Sequence, residues 1–361
     1  MKKQFKTIAL GCVAFASLTA CNSDKFTINA TIANLEDQQV YLAKDDKDNG
    51  MVYLDTVTAK DGRFTFTGKM DRNDYRIITF QNMPGEVRIY MDNSKIDLTG
   101  DYLMLDSVKV EGSPAMDFYK SFLAEEEANK EYIQEKYKLY QSAEQAKDTA
   151  AMQQINMQVV DYQKAYAKKV LDKAIERPED IISLILLSNY VRTLNPDAVA
   201  EYYKMVPDDI KQDFRIGGFD AYMRDNIIKV AKGNPVPAFN LYKYENDSIT
   251  QETVKGKMTA LYITTEQVPD NEAVFEALKK AADKNVDVNI VLMFITKDTP
   301  KEVAEFKKEY GIENFGVAVG TEEFLQALAA MSPRVYFIDA EGKFAGTALD
   351  SAEVDAIVEE L

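Results

Sequence analysis

The chain has no histidine and no tryptophan, and its only two cysteines, Cys12 and Cys21, stand near the N-terminus. Without histidine there is no Ser-His-Asp or Cys-His triad and no imidazole base. Zinc sites built on His or Cys are excluded with them. From Asn22 to Leu361 there is no thiol, so that stretch forms no disulfide and supplies no thiolate nucleophile. The residues imply no metal and no cofactor. Positive charge is also short: 43 Lys and Arg stand against 59 Asp and Glu, a formal net charge of -16. Such a chain is repelled by phosphate backbones and anionic surfaces, which argues against nucleic acid as a partner. Long apolar runs are missing too. Ile181 to Leu187 and Ile8 to Ala16 both fall far below the roughly 20 residues that a spanning helix requires.

What is present is enough chain, 361 residues and 46% hydrophobic, for two or three domains that each bury a core. The N-terminus reads as a targeting segment, with Lys2, Lys3 and Lys6 followed by the apolar run and then Leu18-Thr19-Ala20-Cys21. That tetrad has the form of a lipobox. We expect residues 1–20 to be a lipoprotein signal peptide that takes Cys12 with it on cleavage. The Cys21 thiol would carry the lipid, palmitate included, and tie the chain to a membrane. Asn22 in place of an aspartate follows the pattern of outer-membrane sorting. The expected location is therefore the cell envelope, at the outer membrane rather than the inner, on its periplasmic face or at the cell surface.

From Lys25 to Gly112 short alternating runs rich in β-branched and aromatic residues predict strands at 26–33, 39–43, 51–59, 63–68, 75–81 and 87–91, with two more before Val110. Asp61-Gly62 between them is a hairpin signal. Even spacing without helices predicts an antiparallel β-sandwich over 21–112. Asp45 to Gly50 has carboxylates and a glycine, but Lys47 and Thr56 stand where a calcium loop needs oxygen ligands, so it reads as a solvated turn.

Ser113-Pro114 opens a helical stretch, residues 113–232. Met152, Ile155, Val159, Tyr162, Tyr166 and Val170 recur at helical spacing, as a core face does. Further helices are predicted at 178–192, at 196–205 with Asn195 as cap, and at 208–232. Gly233-Asn234-Pro235-Val236-Pro237 then breaks the chain. Beyond it strands and helices alternate as in an α/β sheet: strands at 258–264, 288–296, 315–319, 334–339 and 343–347, and helices at 271–284, 300–310, 322–330 and 351–361. The fold class is thus multidomain α+β, with an N-terminal antiparallel β-sandwich, a helical middle layer and a C-terminal α/β domain.

Two motifs carry a resemblance. Pro237-Ala238-Phe239-Asn240-Leu241, and Ser332-Pro333-Arg334-Val335-Tyr336-Phe337-Ile338-Asp339 followed by Glu341-Gly342-Lys343, make residues 233–361 resemble a thioredoxin-like domain. The likeness is to membrane-anchored thiol-disulfide oxidoreductases and peroxiredoxin-like proteins. The order sandwich, helical layer, thioredoxin-like domain also resembles a Gram-negative lipoprotein architecture whose N-terminal domain has no assigned function. The family's Trp-Cys-x-Pro-Cys loop follows the first core strand. Here that slot reads Glu266-Gln267-Val268-Pro269-Asp270, with Gln267 and Asp270 in the places of the sulfurs. Neither an amide nor a carboxylate replaces a thiolate, so the resemblance implies a redox-inactive domain.

Asp270 and Glu272 then read either as first-turn helix acids or as a carboxylate held at a helix start. The resemblance further implies a groove at Ser332 and Pro333, where the family pairs an extended chain through backbone amides. The same proline equally suits a turn that needs a cis bond. The first expectation is a lipoprotein that binds or scaffolds a peptide or an envelope protein. The alternatives are thiol-disulfide exchange by analogy of fold, or a carboxylate enzyme using Asp270 with Glu266 or Glu272 on a small substrate. The lipid expectation is directly testable. Cells grown with radiolabelled palmitate should label this chain, and Cys21→Ser should remove the label; a label that survives the substitution refutes the anchor.

Overall fold

The computed structural model describes residues 24–82, 84–242, 248–264, 271–283, 288–294, 300–328 and 334–360. The chain divides into two compact units, one ending at Ser121 and one beginning at Phe122.

The first unit holds β1 (Phe26–Ala33), β2 (Gln38–Asp46), β3 (Gly50–Ala59), β4 (Arg63–Gly68), β5 (Asp74–Phe80), β6 (Glu86–Met91), β7 (Lys95–Asp101) and β8 (Lys109–Glu111). They form two four-stranded sheets, ordered β4-β1-β7-β8 and β3-β2-β5-β6. Alternation decides which side chains enter the core: in β4, Phe64 and Phe66 are buried while Thr65 and Thr67 are exposed. Ile28, Phe66 and Leu98 of one sheet join Val40, Ile78 and Ile89 of the other in one apolar cluster, each contributing about 1.5–3 kcal/mol by burial.

Two details depart from the expected antiparallel sandwich. β1 pairs with β7 in parallel, Ile28 opposite Ile96, because β7 takes the edge of β1 left open by the antiparallel β4. Asp61-Gly62 does form a tight turn, with φ of 48° and 72° and mutual backbone bonds between Lys60 and Arg63. The strands it joins then part, however, β3 pairing with β2 and β4 with β1. The turn carries the chain from one sheet to the other. At the former calcium candidate, Asp46 Oδ1 accepts from the amides of Asp48 and Asn49, so it closes the β2–β3 hairpin.

Helix α1 (Pro114–Gln145) starts in the first unit, where the Ser113 hydroxyl accepts from the Met116 amide at 3.2 Å. In the second unit it continues and is followed by α2 (Thr149–Glu176), α3 (Ile181–Ser188) and α4 (Pro196–Met205). Asn195 caps α4 through the Asp197 amide. Along α2 the apolar face is half-buried from Met152 to Tyr162 and buried at Tyr166 and Val170. The rings of Tyr132 and Tyr162 stack with centroids 3.8 Å apart. Glu126 Oε1 accepts from the hydroxyls of Tyr166 and Tyr190, and burial together with that carboxylate pushes both phenols well up.

The single helix expected over 208–232 is replaced by short turns: α5 (Asp208–Lys211), a 3-10 turn (Phe214–Ile216), α6 (Phe219–Tyr222), a π turn (Met223–Ile227) and a last 3-10 turn (Ile228–Val230). Asp213 interrupts the helix by accepting from the Arg215 amide and pairing with its guanidinium. Gly218, at φ of 80°, reverses the backbone again.

The remainder comprises β9 (Asn240–Tyr242), β10 (Ser248–Thr250), α7 (Gln251–Val254), β11 (Met258–Thr264), α8 (Asn271–Asp283), β12 (Val288–Phe294), α9 (Pro300–Glu309), β13 (Gly316–Val319), α10 (Glu322–Ala327), β14 (Arg334–Ile338), β15 (Phe344–Ala348) and α11 (Ser351–Glu360). Its sheet is ordered β10-β9-β13-β12-β11-β14-β15. β11 is parallel to β12, β12 to β13, and β14 runs antiparallel to β11. This is a thioredoxin-like α/β domain. Both faces are covered: Tyr262 and Phe337 pack with Phe275 and Leu278 of α8 on one side, while Leu261, Ile263 and Tyr336 pack with Phe239 and Phe324 on the other. Central strands covered on both faces read as continuous apolar runs, and the expected boundaries agree with the described elements to within a few residues.

At Gly62 an added Cβ would lie 2.5 Å from the Ile32 carbonyl oxygen, whereas at Gly50, also at positive φ, it would meet nothing within 4 Å. In urea melts Gly62→Ala should lower stability by at least about 1–3 kcal/mol, and Gly50→Ala by less. Equal losses would mean that the Ile32 contact has no effect.

Candidate functional site

The register of the central sheet sets Ile263 opposite Arg334, so the C-terminal end of β11 and the N-terminal end of β14 lie side by side. The segments that carry the expected site leave from these ends, 265–270 after Thr264 and 329–333 before Arg334. Gln267, Val268, Pro269, Asp270, Ser332 and Pro333 lie outside the described residues, as do Glu266 and Cys21. What is described is the frame around them.

That frame is held from two directions. On one side the Tyr336 hydroxyl, on β14, donates to the Leu328 carbonyl at 3.1 Å, fixing the last residue before segment 329–333. Burial raises the Tyr336 phenol, with the Arg334 cation beside it pulling the other way. On the other side Arg334 Nη2 donates to the Arg192 carbonyl at 3.1 Å, tying the start of β14 to the end of the α3 region. The Arg192 side chain points elsewhere, its Nε donating to the Tyr222 hydroxyl at 3.2 Å and its guanidinium lying over that ring. Thr264 and Arg334 are both buried, while Glu272 in the first turn of α8 is exposed. Arg334 is a residue of this frame that sequence patterning does not single out. The available signal was a cation opening an otherwise apolar strand, Val335-Tyr336-Phe337-Ile338.

A concavity lies between α2, α4 and α11, with a volume of about 500 Å³ and walls that include Lys164, Leu171, Leu194, Asp197, Glu353 and Ile357. Asn195, Asp197 and Lys164 in these walls are engaged, the last with Asp350. Asn195 Nδ2 donates to the Thr347 carbonyl at 2.7 Å and to Glu353 Oε2 at 3.0 Å. The Asp197 carboxylate accepts from the Lys232 amide at 2.6 Å and the Thr347 amide at 3.0 Å. Gly346 leaves this contact uncrowded: an added Cβ would press on Ile357 Cδ1 at 3.1 Å and meet Asp197 Oδ2 at an ordinary 3.8 Å. These bonds fasten the helical layer to β15, and their chemistry is structural. Burial raises the Asp197 carboxyl above its ordinary range, although the amides of Lys232 and Thr347 and the Lys232 charge oppose the shift.

Comparison with known proteins follows the two units of sequence pattern. Residues 26–119 match a domain of unknown function, DUF4369, and residues 232–346 match the AhpC/TSA family. The chain carries an AhpC/TSA thioredoxin-like domain. No curated protein gives a significant match. Among solved structures, the thioredoxin domain of a thiol-disulfide oxidoreductase from Bacteroides vulgatus is 18% identical, covering 36% of this chain and 96% of its own, with a TM-score of 0.33. A secreted disulfide oxidoreductase of Mycobacterium tuberculosis is 18% identical over 34% of this chain and 96% of its own, TM-score 0.30. A thiol:disulfide interchange protein of Chlorobium tepidum is 21% identical over 35% and 94%, TM-score 0.30. The AhpC/TSA domain of this chain differs from thiol enzymes at one decisive point: no cysteine stands between Thr264 and Asn271 or anywhere after Cys21.

The Asp197 bonds generate a prediction about pH. A carboxyl whose pKa is higher in the fold than in the unfolded chain stabilises most below its unfolded value of about 3.9 and loses that contribution as pH rises through the folded value. The stability margin of wild type over Asp197→Asn should therefore be larger near pH 4 than near pH 7. Asp197→Ala, which leaves two backbone amides without their acceptor, should cost about 1–3 kcal/mol at either pH. Chemical denaturation at the two pH values checks both; a margin that grows with pH refutes the assignment.

Proposed function

We propose that this chain is an envelope lipoprotein that binds or scaffolds a peptide or protein segment through a redox-inactive AhpC/TSA domain. The observation that carries this reading is the absence of any thiol after Cys21, across a domain whose relatives by fold are thiol-disulfide oxidoreductases. Exchange needs one thiolate to attack and a second to resolve the mixed disulfide, and neither is present. Pairing with an extended chain uses backbone amides and apolar contacts, which do not depend on sulfur. The frame that would support such pairing is built: β11 and β14 are in register, and the flanks Leu328 and Arg334 are each held by a hydrogen bond.

Among the described residues no helix is long and apolar enough to cross a membrane, and in this reading the lipid on Cys21 supplies the attachment, at the outer membrane. The rival reading, a carboxylate enzyme, gains no support from Glu272, which is exposed in the first turn of α8 and so lacks the burial that tunes a catalytic acid.

Two measurements test the proposal. Purified full-length chain should reduce insulin disulfides no faster than buffer; clear turnover refutes it. In-cell crosslinking should capture specific partners that a Val268→Glu, Ser332→Arg variant loses. Partners that persist unchanged would assign binding to the sandwich or the helical layer instead.

A further inference from the structure

Independently of that binding reading, we propose that Tyr132 and Tyr162 form an oxidative modification site, where one-electron oxidants couple the two rings into a dityrosine link between α1 and α2. Composition points to tyrosine first. Tryptophan and thiols are the side chains that compete with tyrosine for a one-electron oxidant, and this chain has no tryptophan and no thiol after Cys21. Its 14 methionines are oxidised differently, by taking up an oxygen atom. One-electron oxidation is therefore directed to the 20 tyrosines.

Geometry then selects a pair. The rings of Tyr132 and Tyr162 are stacked, with centroids 3.8 Å apart and planes inclined by 18°. When two tyrosyl radicals couple, the new bond joins ortho carbons and forms perpendicular to both rings, the direction in which stacked rings already overlap. The two residues stand on long helices, and Lys136 braces them: its Nζ lies 5.1 Å from the Tyr132 ring centroid and donates to Gln158 Oε1 of α2 at 2.8 Å. Holding two reacting groups in contact replaces a chance encounter by an intramolecular step. Other tyrosine pairs lack this overlap. Tyr41 with Tyr53 and Tyr75 with Tyr90 are 5.4 and 5.1 Å apart and tilted by 56° and 60°. Tyr166 and Tyr190 meet edge to face at 5.3 Å, and Tyr166 is buried, whereas Tyr132 and Tyr162 are half-buried and open to a small oxidant.

The chemistry balances as follows. Each phenol gives one electron to an oxidant of the oxyl-radical or high-valent metal-complex class and one proton to water. The two radicals pair their odd electrons in the new carbon–carbon bond. The hydrogen on each joined ortho carbon then moves as a proton to the phenolic oxygen, and the rings regain aromaticity. In sum, two tyrosines and two one-electron oxidants become one dityrosine, two reduced oxidants and two protons. The product is a covalent staple across the helix pair, and a crosslink of this kind restricts the unfolded chain.

The test is photo-oxidation of the detergent-solubilised full chain with tris(bipyridyl)ruthenium and persulfate, which supplies a one-electron oxidant. Wild type should develop dityrosine fluorescence in the monomer band of a denaturing gel and lose the mass of two hydrogen atoms. Peptide mapping should place the main link between Tyr132 and Tyr162, with a yield that dilution leaves unchanged. Tyr132→Phe and Tyr162→Phe each keep a ring in the stack, and each should lose this link while still melting cooperatively. Tyr75→Phe should retain it. A main link at another pair, or links formed only between chains, overturns the assignment. So does a Tyr132–Tyr162 yield no higher than that of the tilted pairs, or the absence of any link under illumination that couples free tyrosine. Because the mapping is made on wild type, it decides the matter even where a variant fails to fold.

Discussion

The antiparallel pairing of β14 with β11 is the constraint on which the second unit depends. It places residue 334 beside residue 263, bringing together two connections that are distant in sequence. It also sets the two faces of the sheet, since Tyr262 and Phe337 face α8 while Ile263 and Tyr336 face the opposite cluster. A slip of one residue would exchange those sets and send every apolar side chain to the wrong layer.

The helical layer is part of that frame. Asn195 serves twice, capping α4 with its side-chain oxygen and reaching β15 and α11 with its side-chain nitrogen. Asp197, next in the same turn, holds backbone amides from β15 and from Lys232. Arg192 gives its carbonyl to Arg334. A few short polar contacts in partly buried surroundings thus join the helices to the sheet, where water competes weakly and each bond holds its geometry. The sheet end that bears Arg334 is shaped by helices lying outside the thioredoxin-like pattern itself.

Much of the fold was legible residue by residue. Strands β4 and β11, helix α4 with its Asn195 cap, and the change of period at Ser113 stand where alternation, periodicity and capping put them. What was not legible depended on distant partners. The parallel neighbour of β1 is β7, and no local pattern records which strand returns beside which. The turn at Asp61-Gly62 has the residue types of a hairpin, but whether its two strands stay paired is decided by competition for other partners. The stretch 208–232 has helical composition, yet the Asp213–Arg215 pair and the reversal at Gly218 divide it, because side chains that bond their own backbone compete with the helix.

By itself the sequence determined the chemistry that is absent and the pattern of elements. Thiols and imidazoles are either in the chain or not, and the apolar period of a segment reports its local structure directly. It also determined the lipobox expectation at Cys21, which rests on contiguous residues. Tertiary structure alone decided which polar groups are buried and what they bond to. Arg334 reads in the sequence as one more strand residue. Its burial and its bond to a carbonyl 142 residues earlier follow only from the packing of a sheet against helices, since the energy of a buried charge depends on everything around it.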